Sequence, residues 1–325
     1  MKKAVLYFSL LIGILTGCNQ EQYEALSPEE EVLISVNVFD SSLSFFDVSE
    51  YKELATWDLP FPLTGAELFP DGEKVLLYGK GLEQVYVYDL TTGKQVEKWE
   101  TGKGITNVRL SHRGEQFYVA DESESQIRFF DLEGREKGAV SVGKAPLSMV
   151  ESKTGGELYV LHFEKAEIDV IDVQARNVVR KLPAKEAATG LILLEDQQEL
   201  WFGGHGAGVE VQNKISVLSL EQGRISSEIE APVMPVAFAQ ADEDIFALSH
   251  GSNTLRKIDP ATKEIKETLT VGANPFTLTT SKRKIYIAGY DSNEIQVVDS
   301  DTMKKKATMQ TGEGPFQLLV WGGEN

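Results

Sequence analysis

Short runs of β-branched and aromatic residues recur along this chain at an interval close to 40 residues, and this repeat restricts the fold more than any other feature. The residue that ends an apolar run before a turn recurs with spacings of 42, 42, 41, 47, 40 and 40. Four positions before each of these residues, the side chain is always apolar. The seven residues are Asp47, Asp89, Asp131, Asp172, Ser219, Asp259 and Asp299. The sequence therefore predicts seven copies of one structural unit.

Each unit divides into four short segments with strand character, separated by Gly or charged turns. In the last unit the predicted strands are Pro275–Thr279, Lys284–Gly289, Glu294–Asp299 and Lys305–Met309. No segment keeps an apolar stripe with the 3.6-residue period of a helix, which argues against α/β repeats. Repeats of about 40 residues with four strands each are typical of propeller blades. We therefore predict an all-β, seven-bladed β-propeller with four-stranded antiparallel blades.

The recurring Asp at the end of the third strand stands before a turn in six of the seven units. Its carboxylate is well placed to accept backbone N–H bonds from that turn. We interpret this column as structural rather than catalytic.

The two ends of the repeat region are out of phase in a way that predicts closure of the ring. The segment 32–36 matches the second strand of a unit, whereas 316–321 matches the first strand of a unit that then stops. We expect these two segments to lie in one blade, with the C-terminal strand innermost, so that no large sheet edge remains open.

Three segments of the last unit carry a recognisable repeat motif. These segments are Val271-Gly272-Ala273-Asn274-Pro275-Phe276, Ile285-Tyr286-Ile287-Ala288 and Val297-Val298-Asp299. The pattern resembles the YVTN-repeat propellers, including the YncE-like ones, from about Glu31 onward. The resemblance implies the propeller fold but says little about function, because propellers support binding, catalysis and scaffolding.

The N-terminus reads as an export signal. Lys2 and Lys3 precede an apolar run that ends in Leu15-Thr16-Gly17-Cys18, which looks like a bacterial lipobox. The run is shorter than the roughly 20 residues that a membrane-spanning helix needs. We expect residues 1–17 to be a lipoprotein signal peptide, Cys18 to be acylated, 18–30 to form a flexible tether, and 31–325 to form one propeller. Removal of residues 19–27 is then expected to be nearly neutral for stability.

The charge of the chain excludes two classes of partner. Cleavage before Cys18 would remove Lys2 and Lys3 and no acidic residue, leaving 30 basic and 50 acidic residues and a net charge of −20. Nucleic acids and anionic lipid surfaces both attract basic proteins, so neither is an expected partner. We expect contact with a membrane only through lipid on Cys18, at the extracytoplasmic face of a bacterial cell, and a monomeric propeller.

The candidate site residues lie at the end of the second strand of a unit, or just beyond it. The predicted face is the one that carries the loops between the second and third strands, including a Gly-rich insertion at 203–213. The predicted binding rim comprises Asp121, Glu122, His162, His205, His250 and Tyr290. A divalent metal held by His162, His205 and His250 is a further possibility, although the divergence of neighbouring blades argues against it. No cofactor is predicted.

Neither a redox motif nor a nucleophile elbow is present: the chain has one Cys, and no Ser stands in a G-x-S-x-G sequence. We therefore expect a non-enzymatic module that binds a protein or a small molecule. Two alternatives remain open at this point. One is an enzyme of the lactonase or lyase type with its centre at the channel mouth, and the other is an accessory subunit of a periplasmic dehydrogenase.

Overall fold

The computed structural model describes residues 22–27, 31–208 and 210–322. It contains 28 β-strands and one short 3-10 helix, Glu195–Gln197. Within these ranges no helix is long and apolar enough to cross a membrane.

The first fourteen strands are β1 (Val32–Asn37), β2 (Ser42–Asp47), β3 (Lys52–Asp58), β4 (Gly65–Leu68), β5 (Lys74–Tyr78), β6 (Gln84–Asp89), β7 (Lys94–Glu100), β8 (Ile105–Leu110), β9 (Gln116–Asp121), β10 (Gln126–Asp131), β11 (Glu136–Ser141), β12 (Pro146–Glu151), β13 (Glu157–His162) and β14 (Glu167–Asp172). The remaining strands are β15 (Asn177–Pro183), β16 (Ala188–Leu194), β17 (Glu199–Gly204), β18 (Lys214–Ser219), β19 (Arg224–Glu230), β20 (Pro235–Ala241), β21 (Asp244–Ser249), β22 (Thr254–Ile258), β23 (Ile265–Thr270), β24 (Pro275–Ser281), β25 (Lys284–Gly289), β26 (Glu294–Asp299), β27 (Lys305–Gln310) and β28 (Pro315–Trp321).

These strands form seven antiparallel sheets of four strands each, the blades of a β-propeller. Blade 1 has the order β28-β1-β2-β3, and blades 2 to 7 take the following strands in consecutive groups of four. The first strand of every blade contacts the first strands of the two neighbouring blades, so the seven first strands surround a central channel. The predicted fold, the number of blades and the number of strands in each blade are confirmed.

Burial changes across a blade from the channel to the outside. In blade 1, the first five residues of β2 are all buried, whereas β3 alternates between exposed and buried residues along its second half. The middle strands are packed between two neighbouring blades, which explains why they carry apolar residues on both faces. One face of the outermost strand is exposed to solvent. The residues on its other face point into the blade interface and include large side chains such as Trp57 and Trp99.

The recurring Asp column has the structural role that its position indicated. Asp259 Oδ1 accepts hydrogen bonds from the N–H groups of Ala261 and Thr262, at 2.9 and 3.0 Å. Asp299 Oδ1 accepts bonds from the N–H and the hydroxyl of Thr302. These bonds lower the pKa of both carboxyls to about 2. The column therefore stabilises the turns between the third and fourth strands.

The ring is closed by the two ends of the propeller region. Strand β28 pairs with β1 from Val32↔Trp321 to Asn37↔Pro315, with one register shift near Asn37. The predicted closure is confirmed, and each strand extends one residue beyond the predicted segment. Gln317 of β28 also bonds the backbone N–H and carbonyl of Ala66 in blade 2, so the closing strand is tied to the neighbouring blade as well.

Residues 22–27, which the sequence assigned to a flexible tether, are packed against blades 1 and 2. The Tyr23 ring stacks on Trp57 at a centroid distance of 5.1 Å, and the Leu26 side chain is buried in the core that these blades share. The N–H groups of Tyr23 and Leu26 donate to the carbonyls of Gly93 and Leu90. This part of the tether prediction is wrong. Tyr23 and Leu26, in an otherwise polar and acidic stretch, pack into a groove between blades 1 and 2, which forms only when the blades assemble.

Deletion of residues 315–325 is expected to unfold or aggregate the whole propeller. Buried N–H and carbonyl groups of β1 would lose their partners at about 1–3 kcal/mol each, compared with a total stability of about 5–15 kcal/mol. Soluble yield and thermal unfolding test this expectation, with a chain ending at Gly322 as the control. A soluble 1–314 chain with an unchanged melting temperature would show that β28 is not needed for the ring.

Leu26→Ala is expected to destabilise the propeller by about 2 kcal/mol, because it removes most of a buried side chain at the junction of blades 1 and 2. The matched control is Leu54→Ala, since Leu54 lies on the outer strand of blade 1 and is 40% exposed. Chemical denaturation of both variants measures the difference. Equal stabilities for the two variants would support a free tether after all.

Candidate functional site

One end of the channel opens into a cavity of about 710 Å³ that is lined by residues of all seven blades. Ligand sites in proteins typically have volumes of roughly 300–1,000 Å³. The wall consists of the innermost strands, and the rim consists of the loops that follow the second strand of each blade. This end of the channel, the mouth, is the candidate functional site.

Aromatic rings occupy more than half of the rim. Neighbouring rings have centroid separations of 4.8 to 6.2 Å. We call this group the aromatic arc; it comprises Phe163, His205, His250, Phe276, Tyr290, Phe316 and Phe39. Exposed fractions of 40% for Phe163, 38% for Phe316 and 62% for Phe39 show that apolar ring surface faces solvent here. Exposed apolar patches of this kind mark interaction sites.

Two histidines stand in the middle of the arc. Their rings are 4.8 Å apart and inclined at 71°. Burial, and to a smaller extent the charge of His250, lower the pKa of His205 from its ordinary value. His250 Nδ1 lies 2.7 Å from Asn274 Oδ1 and donates to it in one tautomer, whereas His250 Nε2 and His205 Nδ1 are buried without a hydrogen-bond partner. The pair thus adds polar atoms to an otherwise apolar surface.

The remaining part of the rim, at blades 2 and 3, is charged. Lys80 Nζ lies 2.8 Å from the Glu122 carboxylate. Deeper in the channel wall, the Arg109 guanidinium is 3.8 Å from Glu67. Burial raises the pKa of Glu67 to about 7, although the nearby charge of Arg109 opposes the shift. The mouth therefore combines an aromatic side with a side that carries paired charges.

The Gly-rich insertion lies beside the arc, as its position in the repeat predicted. Gln212 donates its N–H to the carbonyl of His205, and Met234 donates to the carbonyl of Gln212. These bonds connect the insertion to the loop that leads into blade 6. The insertion therefore supports His205 in the wall of the cavity.

Four of the six predicted rim residues lie at the mouth: Glu122, His205, His250 and Tyr290. The other two, Asp121 and His162, are the last residues of their strands and are buried between blades. The residues that reach the rim in those blades are the next ones in the chain, Glu122 and Phe163. Because side chains of a strand alternate in direction, a shift of one position moves a residue from the rim to the interior.

Asp121 and His162 belong to buried polar pairs that recur in four blades with a spacing of seven residues. The distances range from 2.7 to 3.3 Å. The pairs are Asn37–Ser44, Asp121–Arg128, His162–Asp169 and Ser249–Arg256. In each pair the second residue also bonds the backbone of the loop that leads into the innermost strand, at Gly312, Thr101, Gly143 and Pro232 respectively. These pairs hold the loops of the mouth in place.

The metal hypothesis required His162, His205 and His250 to lie close together. In the structure His205 and His250 lie side by side at the mouth, whereas His162 lies in the interior. His162 is fully buried with its Nε2 atom 3.0 Å from Asp169. Across 22–27, 31–208 and 210–322, no group of three or more His, Cys, Asp or Glu side chains is arranged to hold a metal ion.

Sequence reasoning missed Phe39, Phe163, Phe276, Phe316, Lys80 and Arg109. Two of these residues had a visible signal, because Phe276 and Phe316 follow the Pro of the repeated turn motif. Lys80 and Arg109 had none, since they are ordinary surface-type residues in the sequence. Cys18 and the signal segment lie outside the described residues.

Comparison with solved structures finds the same fold in proteins with different activities. A functionally unknown protein from Desulfotomaculum acetoxidans DSM 771 superposes with a TM-score of 0.74 at 10% identity, covering 90% of this chain and 99% of that one. Dihydro-heme d1 dehydrogenase NirN in complex with DHE gives 0.68 at 14% identity, covering 94% and 78%. Kuenenia stuttgartiensis hydrazine synthase gives 0.65 at 15% identity, covering 80% and 90%. No family model and no curated protein sequence matches the chain. At these identities the similarity shows the fold alone.

Asp169→Asn is expected to destabilise the propeller by about 1–3 kcal/mol, because His162 would lose a charged acceptor in a buried site. Burial opposes ionisation of Asp169, but hydrogen bonds from His162, Gly143 and Lys181 lower its pKa to about 2. The stabilisation is thus present above about pH 4 and is lost as the pH falls towards 2.

Thermal unfolding at pH 7 and pH 3 tests this expectation. The wild-type protein should lose more of its stability on acidification than Asp169→Asn does. Asp196→Asn serves as the control, because the Asp196 side chain is 84% exposed. An Asp169→Asn variant with the pH dependence of the wild-type protein would contradict the assignment.

Proposed function

We propose that this chain is an extracytoplasmic lipoprotein, a YVTN-repeat propeller of the YncE-like type, which binds a small organic ligand without catalysis at the channel mouth. The observation that carries the binding role is the aromatic arc beside a cavity of about 710 Å³. A concave, largely apolar site with a few polar groups is the usual form of a small-molecule site.

Anchoring through Cys18 is supported by the sequence around it. A charged start, an apolar run and Leu-Thr-Gly before the single Cys form the pattern of an acylated precursor. Acyl chains contribute roughly 0.8 kcal/mol per buried methylene, so a multiply acylated Cys holds a protein at a membrane without a spanning helix. Gln22, the first residue that the structure describes, already donates a hydrogen bond to the Thr92 carbonyl of blade 2, so at most three residues separate Cys18 from the body of the propeller.

One observation favours the alternative of a lactonase or lyase. Glu67 lies in the channel wall with a pKa raised to about 7, in the range that suits a general acid or base. However, its carboxylate faces Arg109 within the wall rather than the aromatic arc. Turnover of simple lactones by the purified protein, abolished in Glu67→Gln, would favour the enzyme over the binding module.

Cys18→Ser is expected to prevent acylation, so that the propeller is released as a soluble protein or stays as an uncleaved precursor. Membrane fractionation with detection of the chain and its molecular mass tests this expectation, and the wild-type protein is the reference. If the variant were cleaved and still resisted high-salt and carbonate washes, the lipid anchor would be wrong.

Phe276→Ala is expected to abolish ligand binding at the mouth, because Phe276 contacts four other rings of the arc and lines the cavity. A set of one- and two-ring aromatic compounds is screened by thermal shift. A compound at 100 times its Kd stabilises the folded protein by about 2.7 kcal/mol.

The matched control is His112→Ala, because His112 is exposed in the turn between the first and second strands, away from the mouth. The wild-type protein and the control should respond to the same compounds, whereas Phe276→Ala should not. Compounds that stabilise all three proteins equally would place the binding elsewhere.

A further inference from the structure

The aromatic arc and one cation of the channel wall line the same cavity, and together they indicate the charge of the ligand. The cavity is lined by two basic residues among those the structure describes, Lys80 and Arg109. Lys80 is neutralised by Glu122 at 2.8 Å. Arg109 lies 3.8 Å from its nearest carboxylate, Glu67, which is too long for a hydrogen bond.

Arg109 is also accessible, whereas its carboxylate neighbour is not. The Arg109 side chain is 52% exposed and the Glu67 side chain 13% exposed, and Glu67 Oε2 is buried without a hydrogen-bond partner. A guanidinium presents several N–H donors in a planar fork that matches a carboxylate, phosphate or sulfonate. The donors of Arg109 are thus available to an anion that enters the channel.

We propose that the mouth binds an organic anion, whose ring packs on the aromatic arc and whose acidic group bonds to Arg109. This inference rests on the proposed binding function and adds the class of ligand. The net charge of the chain is negative, so the protein does not concentrate anions by its overall field. Selectivity for an anion therefore has to come from the local contact with Arg109.

Glu67 makes this binding dependent on pH. The titratable groups that face Glu67 are Arg109 from β8 and Tyr78 from β5, and β28 contributes only the neutral Gln317 in this region. When Glu67 is ionised it competes with the ligand for Arg109, and when it is protonated the competition ends. Because burial raises the pKa of Glu67 to about 7, the anion should bind more tightly at pH 6 than at pH 8.

The test uses the full propeller and phenylalkanoates with one to five methylenes, each compared with the primary amide of the same length. Calorimetric titration at pH 6 should give a carboxylate Kd at least tenfold lower than that of the matched amide at the best chain length. Arg109→Gln should remove this difference, and Arg109→Lys should restore part of it. Glu67→Gln should keep tight binding at pH 8.

Each of the following three results would overturn the inference. Equal Kd values for carboxylate and amide in the wild-type protein, with both lost in Phe276→Ala, would remove the anion but leave the mouth as a binding site. A carboxylate preference that survives in Arg109→Gln would place the acidic group elsewhere. Absence of binding by every phenylalkanoate would overturn the assignment of an organic anion as the ligand. The thermal-shift screen of aromatic compounds would then decide separately whether the mouth binds a ligand. Thermal unfolding of each variant establishes that it is folded before titration.

Discussion

The antiparallel pairing between β1 and β28 is the interaction on which the rest of this protein depends. It joins chain ends that lie almost 300 residues apart in sequence, and it completes the ring of innermost strands that forms the channel. The aromatic arc depends on the same closure, since Phe39, which follows β1, contacts Tyr290 of blade 7 at a centroid distance of 4.8 Å. The candidate site therefore exists only in the closed ring. The pairing that closes the ring therefore also positions part of the candidate site.

The mouth is organised in two layers with opposite roles. The lower layer consists of buried polar pairs such as His162–Asp169, which bond strands to the loops that lead into the channel. The upper layer consists of the residues one position later, such as Glu122 and Phe163, which line the cavity. Buried polar groups need partners, and the pairs satisfy one another and the loop backbone at once. The upper layer carries aromatic residues in some blades and charged residues in others, as Phe163 and Glu122 show.

The docked segment 22–27 lies on one side of the ring. Tyr23 and Leu26 pack at the junction of blades 1 and 2, while the aromatic arc extends over blades 4 to 7 and blade 1. Three residues at most about 3.6 Å long each separate Cys18 from the start of this segment. The propeller would then be held near the membrane by a short connection rather than by a long free tether.

The sequence by itself determined the all-β fold, the seven blades, their four strands and the closure of the ring, because each of these depends on a period that local residue patterns record. It also determined the turn-stabilising role of the Asp column, which is a contact within a few residues. Only the tertiary structure decided that Asp121 and His162 are interior while Glu122 and Phe163 are on the rim. The repeat pattern does not locate the end of the second strand to within one residue. It alone brought Phe276 and Arg109, about 170 residues apart, to one cavity. It also revealed the groove that receives Leu26. Contacts between blades depend on how complete sheets pack around the ring, and no local pattern in the sequence encodes that packing.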